Sequence, residues 1–243
     1  MILAAPLASL LQSPVVQVAG TPTQATAAPV SAPAAFGRER TYRVRQTVKL
    51  DQIPADSQLV RWWISIPDDE RYQDVLDFDV VSAPGAWSLE REPERGNSFL
   101  YVEAPRPDAT VLEAVIEFTL RRRPVWIDVR PESVGGNTAA HRRMFAEEVR
   151  LDAPHMEVTP TIAQLAAGVC GTTTNPAIQA RRLLQYVADT VDHYSKDSSK
   201  PRCGIGDAKD CLANLGGCCT DLHSLFIALA RARGIPARMQ MGY

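Results

Sequence analysis

The stretch GIGDAKDCLANLGGCCTDLHSLFIALARARGIPARMQMGY, Gly204 to Tyr243, decides how the chain reads. Within it Leu222, Leu225, Phe226 and Leu229 recur at the spacing of one helical face, so a helix is expected from Cys218 or Cys219 to Arg233. Arg231 and Arg233 sit in its last turn, and Gly234 and Pro236 stop it. Met239, Met241 and Tyr243 then alternate as the start of a strand. At the other end, Gly216 and Gly217 let the backbone turn tightly into the helix. A cysteine there meets unpaired backbone N–H groups and the positive end of the dipole, which favour a thiolate and make Cys219 a candidate nucleophile.

The same run closely resembles the nucleophile segment of the transglutaminase-like superfamily, which reads Gly-x-Cys-x-Asp, an apolar helix, Arg-Ala-x-Gly-Ile-Pro-Ala-Arg and a strand carrying Gly-Tyr or Gly-Phe. Gly217, Cys219, Asp221, Arg231, Ala232, Gly234, Ile235, Pro236, Ala237, Arg238, Gly242 and Tyr243 fall on that pattern in register, and Gly206-Asp207-Ala208 resembles its upstream Gly-Asp-Ala element. Cys218 departs from it, standing where Asn, Asp or Lys is usual. The register keeps Cys219 as the catalytic position, with Cys218 second.

The resemblance implies thiol-dependent acyl transfer or hydrolysis at amide bonds of a protein or peptide substrate, through a thioester on Cys219, with a histidine as base and an aspartate orienting it. Both of those family residues lie on strands beyond the Gly-Tyr strand, so the 243 residues are expected to be truncated and inactive for want of them. His223 lies one turn after Cys219 and is expected to be structural; His141, His155 and His193 carry no motif. Asp221 reads as a first-turn helix residue, and Asp207 as a residue ordering the preceding loop. The alternative function is a non-catalytic protein-interaction module on the same scaffold.

Upstream, Asn175 as N-cap and Pro176 at the first position open a helix with Ala180, Leu183, Leu184, Val187 and Val191 along one stripe, and Arg181, Arg182 and Asp189 on its polar face. Shorter helical patterns cover Ala139 to Val149 and Thr161 to Val169, with a hinge at Gly135-Gly136. From Thr41 to Leu120 the apolar residues instead alternate: Tyr42, Val44, Val48, Leu50; Val60, Trp62, Ile64, Ile66; Leu76, Phe78, Val80; Leu112, Ala114, Ile116, Phe118, Leu120. That period, broken by turns at Ile53 to Asp56, Pro67 to Asp69, Ala83 to Gly85, Glu94 to Asn97 and Pro105 to Asp108, predicts five or six antiparallel strands in a sandwich. One of the paired Trp62 and Trp63 must face outward, where it would serve if this domain bound a glycan or protein.

The fold class is therefore α+β: an antiparallel β-sandwich-like domain over 38–124, then the helical first half of a papain- or transglutaminase-like domain over 125–243. Residues 1–37, an apolar start and an Ala/Pro/Thr-rich spacer, suggest a bacterial exported protein, periplasmic or extracellular. The start is far shorter than the roughly 20 apolar residues of a membrane span. A net charge of -2 gives no reason to expect nucleic acid as partner. The five cysteines, Cys170, Cys203, Cys211, Cys218 and Cys219, contain no CxxC pair, so neither a metal nor a cofactor is expected, and an odd count leaves at least one thiol free. Spacing leaves a Cys203–Cys211 disulfide open, and oligomeric state is not legible.

Overall fold

The computed structural model describes residues 38–105, 111–202 and 205–242. The expected spacer over 1–37, the end of the turn at Pro105 to Asp108, and Cys203, Gly204 and Tyr243 lie outside the described residues. The architecture is α+β, and the chain divides into two units, one ending at Ile127 and the other starting at Asp128.

The first unit holds six strands: β1 (Arg40–Leu50), β2 (Leu59–Ser65), β3 (Gln73–Ser82), β4 (Ala86–Arg91), β5 (Ser98–Pro105) and β6 (Leu112–Arg122). They form two antiparallel three-stranded sheets, ordered β1-β6-β3 and β2-β5-β4. Alternation puts Ile64, Leu100 and Val102 of one sheet in a single buried cluster with Ala114, Ile116 and Phe118 of the other. The Phe78 and Phe118 rings stack there, centroids 6.5 Å apart. Trp62 packs against this core while Trp63 faces outward beside Tyr101, ring centroids 5.2 Å apart.

Leu76 corrects the simple alternation, being 49% exposed rather than inward. The β3–β6 register pairs Val75 with Leu120 and Asp77 with Thr119, leaving Leu76 as the extra residue of a bulge.

The second unit is built on helices: α1 (Ala139–Met144), α2 (Pro160–Cys170), α3 (Pro176–Thr190), α4 (Ala208–Asn214) and α5 (Cys219–Ala232). Each has a sequence reason to begin. Thr138 and Thr159 cap α1 and α2, and the Asn175 side chain accepts from the N–H groups of Ala177 and Ile178 to start α3. Asp207 does the same for α4, a helix the hydrophobic pattern did not announce. The α1 pattern is shorter than the expected Ala139 to Val149, because turns replace the helix after Met144.

One cluster joins Ile162, Ala166 and Cys170 of α2, Leu183 and Val187 of α3, Ala208 and Cys211 of α4, and Leu225, Ala228 and Leu229 of α5. In α3 the stripe is narrower than expected. Leu184 is 57% exposed, while Gln179 is buried and donates its amide to the Thr173 carbonyl at 2.7 Å. After α5 the chain carries no strand through Met239 and Met241, where no neighbouring strand pairs with it among the described residues. No helix of the described residues is long and apolar enough to cross a membrane.

Candidate active site

The start of α5 is set by the two glycines before it. Gly216 and Gly217 form a short strand, β8, parallel to β7 (Asp192–His193), with the Tyr194 N–H donating to the Gly217 carbonyl at 2.9 Å. The chain passes through Cys218, an extended N-cap with φ -104° and ψ -175°, and turns helical at Cys219. Gly217 lies at φ +152°, and a Cβ there would stand 2.7 Å from the Asp221 carboxylate oxygen. Gly206, at φ +77°, is as constrained: its Cβ would meet the Thr220 methyl at 2.6 Å.

Asp221 is the reason these backbones come so close. Its carboxylate, 4% exposed, accepts through Oδ2 from the Cys218 N–H at 2.8 Å and through Oδ1 from the Gly206 N–H at 3.1 Å. One oxygen closes a capping box on the helix; the other clasps the loop entering α4. Asp221 is thus a first-turn residue, as its position implied, with a second contact that spacing could not reveal. Asp207, next to Gly206, orders the same loop by accepting from the Lys209 and Asp210 N–H groups at the start of α4.

The cysteines differ by exposure. Cys219 is exposed, whereas Cys170, Cys211 and Cys218 are buried free thiols. Burial, aided by the nearby Asp221 and Cys218, pushes the Cys211 thiol up to about 12, so it stays protonated and inert at neutral pH. Burial also raises Cys170, against the pull of Arg233 and Arg182. Cys219 combines access to solvent with the N-terminus of a helix 14 residues long.

Each histidine has its own place. His223 is exposed on α5 one turn after Cys219. His193 Nδ1 pairs with the Ser195 hydroxyl at 2.8 Å, His155 Nδ1 stands 3.7 Å from Asp207, too long for a hydrogen bond, and His141 lies in α1. Among the described residues no group of three or more histidine, cysteine or acidic side chains could hold a metal ion.

Arg231, placed by sequence in the last turn of α5, does more than end the helix. It is 1% exposed and donates through Nε and an Nη to the Ala237 carbonyl at 3.0 and 2.8 Å, and through its other Nη to the Arg150 carbonyl at 3.2 Å. The Arg-x-x-Gly-Ile-Pro-Ala spacing thus lets one guanidinium hold the chain reversal after α5. The remaining α5 side chains are buried almost all round, as befits a core helix.

Residues 163–243 match the family model of the transglutaminase-like superfamily. Over 91 residues the chain is 36% identical to an uncharacterized protein of Haemophilus influenzae, an alignment covering 37% of this chain and 24% of that protein. The chain thus spans about a quarter of that relative's length. The fold is similar to a crystal structure described as "a putative cysteine protease" from Cytophaga hutchinsonii, with a TM-score of 0.59 and 14% identity over 82% of this chain and 66% of that one. The part of the chain that builds Cys219, Asp221 and Arg231 into one helix thus lies within the residues, 163–243, that match the transglutaminase-like superfamily model.

Proposed function

We propose that Cys219 is the nucleophile of a thiol-dependent acyl transfer at amide bonds, with hydrolysis of peptide or isopeptide bonds as the overall reaction. The observation that carries this reading is the exposed Cys219 thiol at the first position of a buried helix, in a Gly-x-Cys-x-Asp register whose aspartate clasps the backbone on both sides. The Cys219 sulfur attacks the substrate carbonyl carbon, the carbon–nitrogen bond breaks, and the amine leaves with a proton from the acid. Water then attacks the thioester, releasing the carboxylic acid and returning the proton to the thiol. The resemblance implies as base a histidine on a strand that follows the Gly-Tyr strand; His223, one turn after Cys219 on the same helix face, is poorly placed to meet sulfur and substrate in line.

An acyl donor activated at its leaving group tests this directly. Incubating the protein with a peptide thioester or p-nitrophenyl ester should place a hydroxylamine-labile acyl group on Cys219, absent in Cys219→Ala. Acylation that persists unchanged in Cys219→Ala overturns the assignment, and the absence of any acylation favours a non-catalytic interaction module.

A further inference from the structure

The mechanism above uses one of two adjacent thiols, and the other has a defined environment. We infer that Cys218 is a resolving thiol: when peroxide oxidises Cys219, Cys218 closes a vicinal disulfide that stores the nucleophile in a reversible form.

Three observations support the order of events. Cys219 is exposed while Cys218 is 4% exposed, so a small oxidant meets Cys219 first. Cys218 is the N-cap, with extended rather than helical backbone, so its half of the disulfide ring lies outside the regular helix. The third nearby thiol, Cys211, is held protonated in the core, which makes it a poor competitor for the oxidised sulfur.

The chemistry balances with peroxide as oxidant. Cys219 thiolate attacks one peroxide oxygen, the O–O bond breaks, and Cys219 sulfenic acid forms with loss of hydroxide. The Cys218 sulfur then attacks the Cys219 sulfur, forming the S–S bond; the sulfenic hydroxyl leaves with the Cys218 proton as water. Adjacent Cα atoms are about 3.8 Å apart, below the usual disulfide span of roughly 4.4–6.8 Å, so the bridge is strained and a dithiol reopens it readily. Closing it pulls Cys219 from the first helical position and loosens the Cys218 N–H from Asp221, so the oxidised form is disarmed by geometry as well as chemistry.

The test is peptide mass analysis after limited peroxide and alkylation of the remaining thiols. Chymotrypsin separates Cys211 from the pair, because Leu212 and Leu215 lie between them. Wild-type protein should yield the Gly216 to Leu222 peptide lighter by two hydrogens and restored by dithiothreitol. Cys218→Ser, which keeps a good N-cap, should lose that species and carry Cys219 on to the sulfinic acid. Cys219→Ser should leave Cys218 unoxidised. Equal rates of Cys219 sulfinic acid formation in wild type and Cys218→Ser overturn the inference, as does a bridge mapped to Cys211 or Cys203.

Discussion

Replacing Asp221 by alanine removes the acceptor of two buried N–H groups, those of Cys218 and Gly206, at 2.8 and 3.1 Å. A hydrogen bond to a charged partner contributes about 1.5–3 kcal/mol, and both donors stay buried when the carboxylate goes, so the loss is about 3–6 kcal/mol. Against a total stability of roughly 5–15 kcal/mol for a domain, that is a large drop in the urea midpoint of the helical unit. Asp221→Asn keeps one oxygen but turns an NH2 toward the other donor, and should be nearly as costly. The steric half of the reasoning has its own check in a double-mutant cycle. Gly217→Ala meets the Asp221 carboxylate oxygen and the Asp221 Cβ, each at 2.7 Å, and Asp221→Ala relieves the first of these clashes but not the second, so the two changes should couple by about 0.5–3 kcal/mol. An Asp221→Ala midpoint within about 0.5 kcal/mol of wild type, the size of an ordinary surface substitution, refutes the clasp. Strict additivity with Gly217→Ala refutes the close approach.

Other outcomes follow from the same unit. Cys211 has its pKa raised in the fold, to about 12 against about 8.5 unfolded. Its contribution is complete below about pH 8.5 and lost as pH climbs toward 12, so urea midpoints between pH 8 and 11 should fall less steeply in Cys211→Ala than in wild type. Arg231→Met should cost about 3–5 kcal/mol in thermal or urea unfolding by stranding the Ala237 and Arg150 carbonyls; a cost under about 1 kcal/mol would make the guanidinium dispensable. Asn175→Ala should cost about 1–2 kcal/mol from the lost cap of α3, with further loss from its bonds to the Pro131 and Val134 carbonyls, read by the same unfolding.

Much of this was legible in residue order, for identifiable reasons. Period-two alternation gave the sandwich because each strand buries one face, and it failed at Leu76 because a bulge adds a residue that pairing, not hydrophobicity, accommodates. Asn175-Pro176 announced α3 because capping is local chemistry; α4 escaped because seven residues contain too few turns for periodicity, though Asp207 as a cap was available to be read. Cys219 stood out through its glycines and helix start. Its partner contacts did not, since the Asp221–Gly206 bond spans 15 residues and the Arg231–Arg150 bond spans 81. Long-range bonds of this kind leave no spacing signature, and Met239 to Met241 show the converse: alternation that pairs with no strand among the described residues is only a propensity.

The burial of α5 has a practical reach. Cys219 and His223 are the exposed side chains of its 14 residues, one turn apart, on a rod otherwise gripped by the helices around it. A fluorophore coupled to that sulfur would have no slack of its own. Its anisotropy would follow the tumbling of the whole helical unit, turning the thiol into a gauge of core integrity.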